Sequence, residues 1–383
     1  MISYVGDARM GDNLKELQMK MDFLVDCALV SRDWNVVATN LLYRGPITLR
    51  ECLYKQHVWV FIRLLLSVSS ESARLLLRTV ENGRWNPCPI QQLKVTSFLP
   101  VVKGEFELVV QRLITHCTEL GYLYLNVSDL SFEPIASLPV FEHLRELHLT
   151  DMSLRTVAPL LHRLPYLKVL HLHWVTARQS LAVRTQGAPP IGDPLDDIPP
   201  PTFQLDELGL QQSELAPQQF QWLLSQCTSL LHVELRNVGD SGPGLARVIG
   251  PHTKALSIHG MIDVPRGDDR VASQLMHFTS LTSLQISGRG WPWNTIFMDV
   301  AAPLETIRIS YSQPACDSLV QFLLYRSWLP SLRAVVVDHE ASEDRLYRVG
   351  QTDIEDAMTI LKSACATRNI TLRWLMNGVQ HAS

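Results

Sequence analysis

The sequence predicts an α/β solenoid, preceded by a small all-helical module at its N-terminus. Two observations predict the solenoid: a short apolar hexad recurs along the chain, and the apolar period changes from alternating to helical between its copies. A third observation is compatible with it, because 46% of the 383 residues are hydrophobic, which is enough for a continuous core. One strand, one turn and one helix therefore form the predicted repeating unit.

The repeating unit is marked by a hexad with aliphatic residues at its first, fourth and sixth positions. Clear copies begin at Leu144, Leu167, Leu205, Leu281, Leu304 and Leu332, and weaker ones at Ile90, Leu120, Leu230, Thr253 and Ile370. The first positions are 23 residues apart from Leu144 to Leu167 and 28 apart from Leu304 to Leu332. Such spacing is typical of a leucine-rich repeat, whereas a generic parallel α/β domain has apolar strands without a nearly fixed period.

Helical apolar spacing follows several hexads. Helices are predicted over 106–120, 157–164, 220–230, 271–278 and 316–324. Two of them end in similar phrases that place Cys117 and Cys227 at equivalent positions, where we expect both to point into the core. The buried core is also the predicted place of Trp291 and Trp293.

The repeat array is predicted to span residues 90–383, with two interruptions of its period. The stretch at 186–202 is rich in proline and acidic residues, so we expect an exposed loop there. A long amphipathic segment over 354–365 predicts a C-terminal helical cap that covers the open end of the array.

The N-terminal module carries a short pattern of its own. Its residues are Leu24, Leu29, Val30 and Trp34, followed by Leu-Tyr-Arg and then Ile-x-Leu ending at Leu49. This pattern resembles the second half of an F-box and the exit that many fungal F-box proteins with leucine-rich repeats show. The usual opening helix with its Leu-Pro pair is missing, so the resemblance implies an N-terminally incomplete F-box over 1–49. A helical linker or cap is expected over 50–89.

In the family that the module resembles, the F-box docks on a Skp-type adaptor. The adaptor joins a cullin-based ubiquitin ligase, and the repeats hold the substrate protein. The resemblance therefore implies a non-enzymatic substrate receptor, whose partners are the adaptor, the cullin scaffold and an unknown protein substrate. It places adaptor binding on Leu24, Leu29, Val30 and Trp34. The alternative is a leucine-rich-repeat scaffold without a ubiquitin-ligase link, in which the module is only a helical cap.

The substrate-binding surface is predicted on the concave face of the solenoid. Side chains alternate along a strand, so the residues between the inward leucines line that face. The predicted partner-binding residues are Glu146, His148, His171, His173, Glu234, Arg236, His259 and Arg308. Their mixture of charges suits a protein or peptide.

Two patterns of possible catalytic or metal-binding residues lead to no predicted site. Residues 239–243 spell the nucleophile loop of chymotrypsin-like proteases, but Asp240 or Ser241 fits a helix N-cap better, and a hydrolase at Ser241 is only a third hypothesis. His148 is predicted beside His171, but no carboxylate or cysteine is clearly placed to complete a tetrahedral metal site. We therefore predict no catalytic residue, no metal and no cofactor.

The overall charge and the cysteines exclude several classes of partner. A net charge of -4 without a dense basic run argues against nucleic acid, and no apolar stretch is long enough to span a membrane. Seven cysteines without a C-x-x-C pair argue against a disulfide framework. We therefore expect a protein of a reducing compartment, the cytoplasm or the nucleus.

Overall fold

The structure is a computed structural model, and its described residues lie almost entirely in the predicted array. They are residues 47–51, 65–67, 77, 90–97, 105–126, 140–175, 195, 197–213, 215–228, 230–237, 242–260, 275–288, 291, 293–297, 300, 302–325, 329–339, 351–376 and 379–381. Residues 1–46 of the predicted F-box-like module lie outside the described residues. They include Leu24, Leu29, Val30 and Trp34.

The chain divides into two compact units, of which the first comprises Met1–Gln204 and Trp222–Gln226. Its strands are β1 (Ile47–Glu51), β2 (Leu65–Ser67), β3 (Gln92–Ser97), β4 (Tyr122–Asn126), β5 (Glu146–Thr150) and β6 (Val169–His173). Helix α1 (Glu105–His116) lies between β3 and β4 in sequence, and α2 (Leu154–Leu161) between β5 and β6. The strands follow the order β2-β1-β3-β4-β5-β6, and each neighbouring pair is parallel.

The second unit comprises Leu205–Gln221 and Cys227–Ser383. Its strands are β7 (Glu207–Gln211), β8 (Leu230–Arg236), β9 (Thr253–His259), β10 (Ser283–Ser287), β11 (Thr306–Ser310), β12 (Ala334–His339), β13 (Thr371–Met376) and β14 (Val379–His381). Its helices are α3 (Pro217–Leu223, whose last two residues belong to the first unit), α4 (Gly242–Ile249), α5 (Trp293–Ile296), α6 (Gln313–Tyr325) and α7 (Gln351–Thr367). The strands pair in sequence order, parallel except for the antiparallel pair β13–β14.

The hexads set the register of both sheets. In the first unit Leu123 pairs with Leu147, and Leu147 pairs with Leu170, all three fully buried. In the second unit Leu284 is likewise paired with Leu256 and Ile307. Equivalent positions of successive repeats thus form continuous apolar rows, and the predicted α/β leucine-rich-repeat fold is confirmed.

Aromatic side chains fill the space between strands and helices. Phe141, Phe203 and Phe220 are fully buried. Trp291 and Trp293 are each 6% exposed, which confirms their prediction as core residues, and the Trp291 indole donates to the Ser287 carbonyl oxygen at 3.2 Å. No helix in the described part of the chain has the length and apolar character that a membrane span requires.

Strands β1 and β2 lie in segments that were predicted to be helical. The prediction assigned Ile47–Leu49 to the helical module and residues 50–89 to a helical linker, but β1 and β2 are strands there. β1 pairs in parallel with β3, so that Ile47 and Leu49 match the fourth and sixth hexad positions, Leu93 and Val95. The physical reason is that Ile-Thr-Leu-Arg alternates with period two, which favours a strand once a neighbouring edge is available.

In the exposed loop predicted at 186–202, the described residues of the C-terminal end belong to no helix or strand. Asp197, Pro199, Pro200 and Thr202 are exposed there, while other groups of this end pack against the repeats. Leu195 is 5% exposed, and the Ile198 carbonyl oxygen accepts a hydrogen bond from the Trp222 indole at 2.9 Å. Asp197 forms an ion pair with Arg155 at 2.9 Å. Proline prevents a helix or a ladder here, but the backbone carbonyls and the acidic side chain still find partners on the repeats.

At the C-terminal end, the predicted helix over 354–365 is confirmed by α7. The weakest hexad pairs as expected, Leu372 with Val335 and Trp374 with Val337. These two residues of β13 are only half-buried, because the next strand is the short antiparallel β14.

Of the two cysteines predicted in the core, only Cys117 is buried, and the core position predicted for Cys227 is wrong because it is half-buried. Cys316 and Cys365 are buried as well. Burial raises the pKa of the Cys316 thiol to about 12, with a smaller contribution from Asp317, and raises that of Cys365 to about 11.

Leu147→Ala should lower the free energy of unfolding by about 2 to 5 kcal/mol, because it leaves a cavity in the apolar row. The matched control is Leu108→Ala on α1, where the side chain is 53% exposed, and a change within about 0.5 kcal/mol is expected. Urea unfolding followed by circular dichroism gives both values. Equal effects would contradict the register described above.

Cys227 should react with a thiol reagent at pH 8 before Cys117, Cys316 and Cys365, because the thiolate is the reactive form and buried thiols ionise poorly. Mass spectrometry of time-quenched peptides measures the order. Early labelling of Cys316 in the folded chain would contradict this order.

The raised pKa values also imply that stability from Cys316 and Cys365 is complete below their ordinary pKa of 9.0 and is lost as the pH rises toward 11 and 12.

Candidate functional site

The strand residues that alternate with the buried hexad positions form the polar strand face of each unit. In the first unit this face carries three histidines. His148 on β5 pairs in register with His171 on β6, as predicted, and His173 follows two residues later on the same strand. The His148 and His171 rings stack with centroids 4.4 Å apart and planes 9° apart, and the possible ligand atoms of all three imidazoles lie within 4.8 Å of one another.

A carboxylate lies beside this histidine cluster, on the face where the sequence predicted it. Glu146 Oε1 is 2.7 Å from His148 Nε2, two residues earlier on the same face of β5. The His148 side chain is 17% exposed and the Glu146 side chain 41% exposed. Same-strand neighbours two residues apart share a face, so Glu146 lies beside His148, while the group of possible metal ligands comprises the three histidines without Glu146.

Two tyrosines of β4 extend the cluster on its other side. The ring centroids of Tyr122 and Tyr124 lie 5.2 Å and 6.0 Å from that of His148, and Lys94 Nζ lies 4.5 Å from the centre of the Tyr124 ring. Burial, and next the charge of Glu146, raise the pKa of Tyr122 to about 12, so its phenol stays protonated at neutral pH. The cluster therefore has a neutral aromatic side as well as imidazoles.

The polar strand face of the second unit carries a connected charge network. Glu234 Oε1 on β8 contacts Arg236 Nη2 at 2.6 Å and lies 3.5 Å from His259 Nε2 on β9. The other ring nitrogen of His259 lies 2.6 Å from the Ser287 hydroxyl on β10. Three of the predicted partner-binding residues thus form one network across three strands.

The network ends at a small pocket on the same face. Its polar lining includes His259, Gln285, Ser287, Arg308 and Asp338. Arg308 forms an ion pair with Asp338, yet its Nε and the Asp338 Oδ1 are buried without a hydrogen-bond partner among the described residues. A ligand that both donates and accepts hydrogen bonds would satisfy these two atoms.

The residue immediately after each of the strands β5 to β10 has a positive φ. These residues are Asp151, Trp174, Gln212, Asn237, Gly260 and Gly288. At Gly288 an added Cβ would overlap the Gly260 carbonyl oxygen. Trp174 is the exception in this series, because a bulky aromatic residue disfavours φ +50° and is also 49% exposed. Trp174 is not among the residues predicted for partner binding, although it directly follows the His171-Leu172-His173 strand.

The predicted partner-binding residues therefore lie on two polar strand faces, one in each unit. Those of the first unit are Glu146, His148, His171 and His173, and those of the second are Glu234, Arg236, His259 and Arg308. Asp240 and Ser241 lie outside the described residues, and α4 begins at the following Gly242.

Across 207 residues the chain is 28% identical to F-box/LRR-repeat protein 12 of Homo sapiens. The matched region covers 46% of this chain and 60% of the human protein. No family model matches the chain. The distant similarity, together with the repeats, indicates a leucine-rich-repeat interaction module.

Trp174→Gly should leave the free energy of unfolding unchanged or raise it by up to about 1 kcal/mol. Glycine adopts a positive φ without steric cost, and this relief offsets the greater entropy of glycine in the unfolded chain. Gln212→Gly is the matched control at the equivalent position after β7, with φ +49°, and the same outcome is expected. Urea unfolding of both variants checks this, and a loss above 1 kcal/mol for Trp174→Gly alone would mean that the indole stabilises the fold.

Proposed function

We propose that the protein is the substrate receptor of a Skp–cullin–F-box ubiquitin ligase and binds its protein substrate on the polar strand faces. The observation that carries the proposal is the combination of these partly buried, charged strand faces with similarity to a human F-box/LRR-repeat protein. In this role the chain performs no chemistry and raises the local concentration of substrate near the transferring enzyme. Such a receptor acts in the cytoplasm or the nucleus.

The charged networks favour a polypeptide ligand over an apolar one. The faces present acidic, basic and imidazole groups in alternation, so they match a partner of complementary charge pattern. Glu234, Arg236 and Asp338 are anchored by ion pairs, which limits the loss of side-chain entropy on binding. The pocket beside Arg308 suits one polar side chain of the substrate.

Trp174 supports the same proposal. Trp174 is 49% exposed in a strained backbone conformation, and strained residues concentrate at functional sites. Tryptophan is also enriched among the residues that contribute most to binding energy. We assign Trp174 the role of an anchor that enters a pocket of the substrate, next to the histidine cluster.

The second candidate is a leucine-rich-repeat scaffold with no link to ubiquitin. It shares the polar strand faces and differs in the N-terminal module, which would then only cap the repeats. Adaptor binding therefore separates the two candidates.

Co-expression of the full chain with a Skp-type adaptor should yield a complex that survives affinity purification and size exclusion. Replacing Val30 and Trp34 together by alanine should remove the adaptor, because these residues belong to the pattern that resembles an F-box. Quantitative mass spectrometry of the purified complex measures the adaptor-to-chain ratio. If the unmutated chain purifies without the adaptor, the ligase role is ruled out and the scaffold role remains.

Two further variants keep this test interpretable. Truncating a buried tryptophan costs about 3 to 5 kcal/mol, so the double variant requires circular dichroism to show that it is folded. Leu147→Ala destabilises the repeats and should still recruit the adaptor. Trp174→Gly should also retain the adaptor, while ubiquitylated substrate in the same complex falls at least about tenfold if Trp174 is an anchor.

A further inference from the structure

The histidine cluster of the first unit has the composition and spacing of a metal site. His148, His171 and His173 come from two adjacent strands in register, so the backbone itself fixes their separation. Neighbouring parallel strands place His148 beside His171, and the two-residue step along β6 places His173 on the same face. We propose that these three imidazoles bind one Zn²⁺ ion.

The separation of the imidazoles is compatible with this ion. Their ligand atoms lie within 4.8 Å of one another. Zn–N distances are about 2.0 to 2.1 Å, so nitrogens around a tetrahedral ion are about 3.4 Å apart. Each ring nitrogen would move by less than about 1 Å to reach that spacing. The stacked His148 and His171 rings, whose planes are 9° apart, would also rotate out of their stack so that both in-plane lone pairs aim at the ion. Imidazole is a preferred ligand for zinc, and three imidazoles with one open position form a known type of site.

Glu146 acts as a positioning residue in this proposal. Its Oε1 lies 2.7 Å from His148 Nε2, and a hydrogen bond from that nitrogen leaves Nδ1 as the lone-pair donor. A carboxylate bound to the far nitrogen of a ligating histidine fixes the tautomer and the ring orientation, and it raises the basicity of the ligand.

The surroundings of the cluster are suitable for an accessible ion. The His148 side chain is 17% exposed, so solvent reaches it while the tyrosines of β4 cover one side. Three protein ligands leave one position of a tetrahedral ion open toward the polar strand face. That position would take water or a carboxylate, imidazole or thiolate of a bound partner. The zinc proposal stands without the ubiquitin-ligase role, since it depends only on β4, β5 and β6.

The test uses the full chain purified through a tag without histidines and freed of metal with a chelator that is then removed. Calorimetric titration with Zn²⁺ should give one ion per chain. X-ray absorption at the zinc edge should show three imidazole nitrogens at about 2.0 to 2.1 Å. Titration with Co²⁺, a spectroscopic substitute, should give the visible bands of a tetrahedral ion.

The variants separate this site from adventitious binding to surface histidines. His171→Gln and His173→Gln retain a polar side chain and should each abolish stoichiometric binding, whereas Glu146→Gln should weaken it by about 10- to 100-fold. The control is His143→Ala, which removes an exposed histidine 3.5 Å from Glu119 outside the cluster and should bind Zn²⁺ like the unmutated chain.

Two results would overturn the proposal. One is an unmutated chain that binds no stoichiometric Zn²⁺, and the other is a pair of folded glutamine variants that bind as well as the unmutated chain. Circular dichroism shows whether each variant is folded. If a variant unfolds, the zinc-edge spectrum of the unmutated chain tests the proposal instead, and fewer than three imidazole ligands would contradict it.

Discussion

One backbone contact recurs between successive repeats and sets the register of each sheet. The carbonyl oxygen just before a strand accepts hydrogen bonds from two consecutive amides of the next repeat. Gly121 O accepts from Arg145 N and Glu146 N, and Glu305 O accepts from Arg333 N and Ala334 N. A shift of one residue would turn every hexad leucine to the solvent side, so these contacts and the burial of the leucines impose the same register.

The fixed register explains why the polar strand faces contain clusters. Equivalent positions of neighbouring repeats become lateral neighbours, about 4.8 Å apart, whatever their side chains are. Histidines at the same position in two successive hexads are therefore brought side by side, as His148 and His171 are. An acid and a base at diagonal positions come within reach of each other, as Glu234 and His259 do. The apolar rows give stability, and the alternating positions can vary without disturbing them.

The sequence predicted the strands of the repeats well because period and spacing reinforce each other there. The prediction of helix for β1 and β2 was wrong. Their alternating segments are short and lie at no regular repeat spacing from a hexad, and the nearby resemblance to a helical module favoured helix. The burial of the cysteines was predicted less well. Cys117 and Cys227 occupy equivalent positions in similar sequences, but Cys117 is buried and Cys227 is half-buried. The packed end of the proline-rich segment depends on Trp222 and Arg155, which are distant in sequence and carry no local signal.

The candidate site divides in the same way. Adjacency of His148 and His171 followed from register alone and was predictable. The contact between Glu146 and His148 depends on side-chain rotamers, and the φ of Trp174 depends on how the chain leaves β6, so neither could be read from the pattern. The equivalent positions after β5, β7 and β8 hold the polar residues Asp151, Gln212 and Asn237. Those after β9 and β10 hold glycine. Against that series Trp174 is the one bulky aromatic residue, and strain of this kind concentrates at functional sites, which is why the proposed function gives it a contact with the substrate.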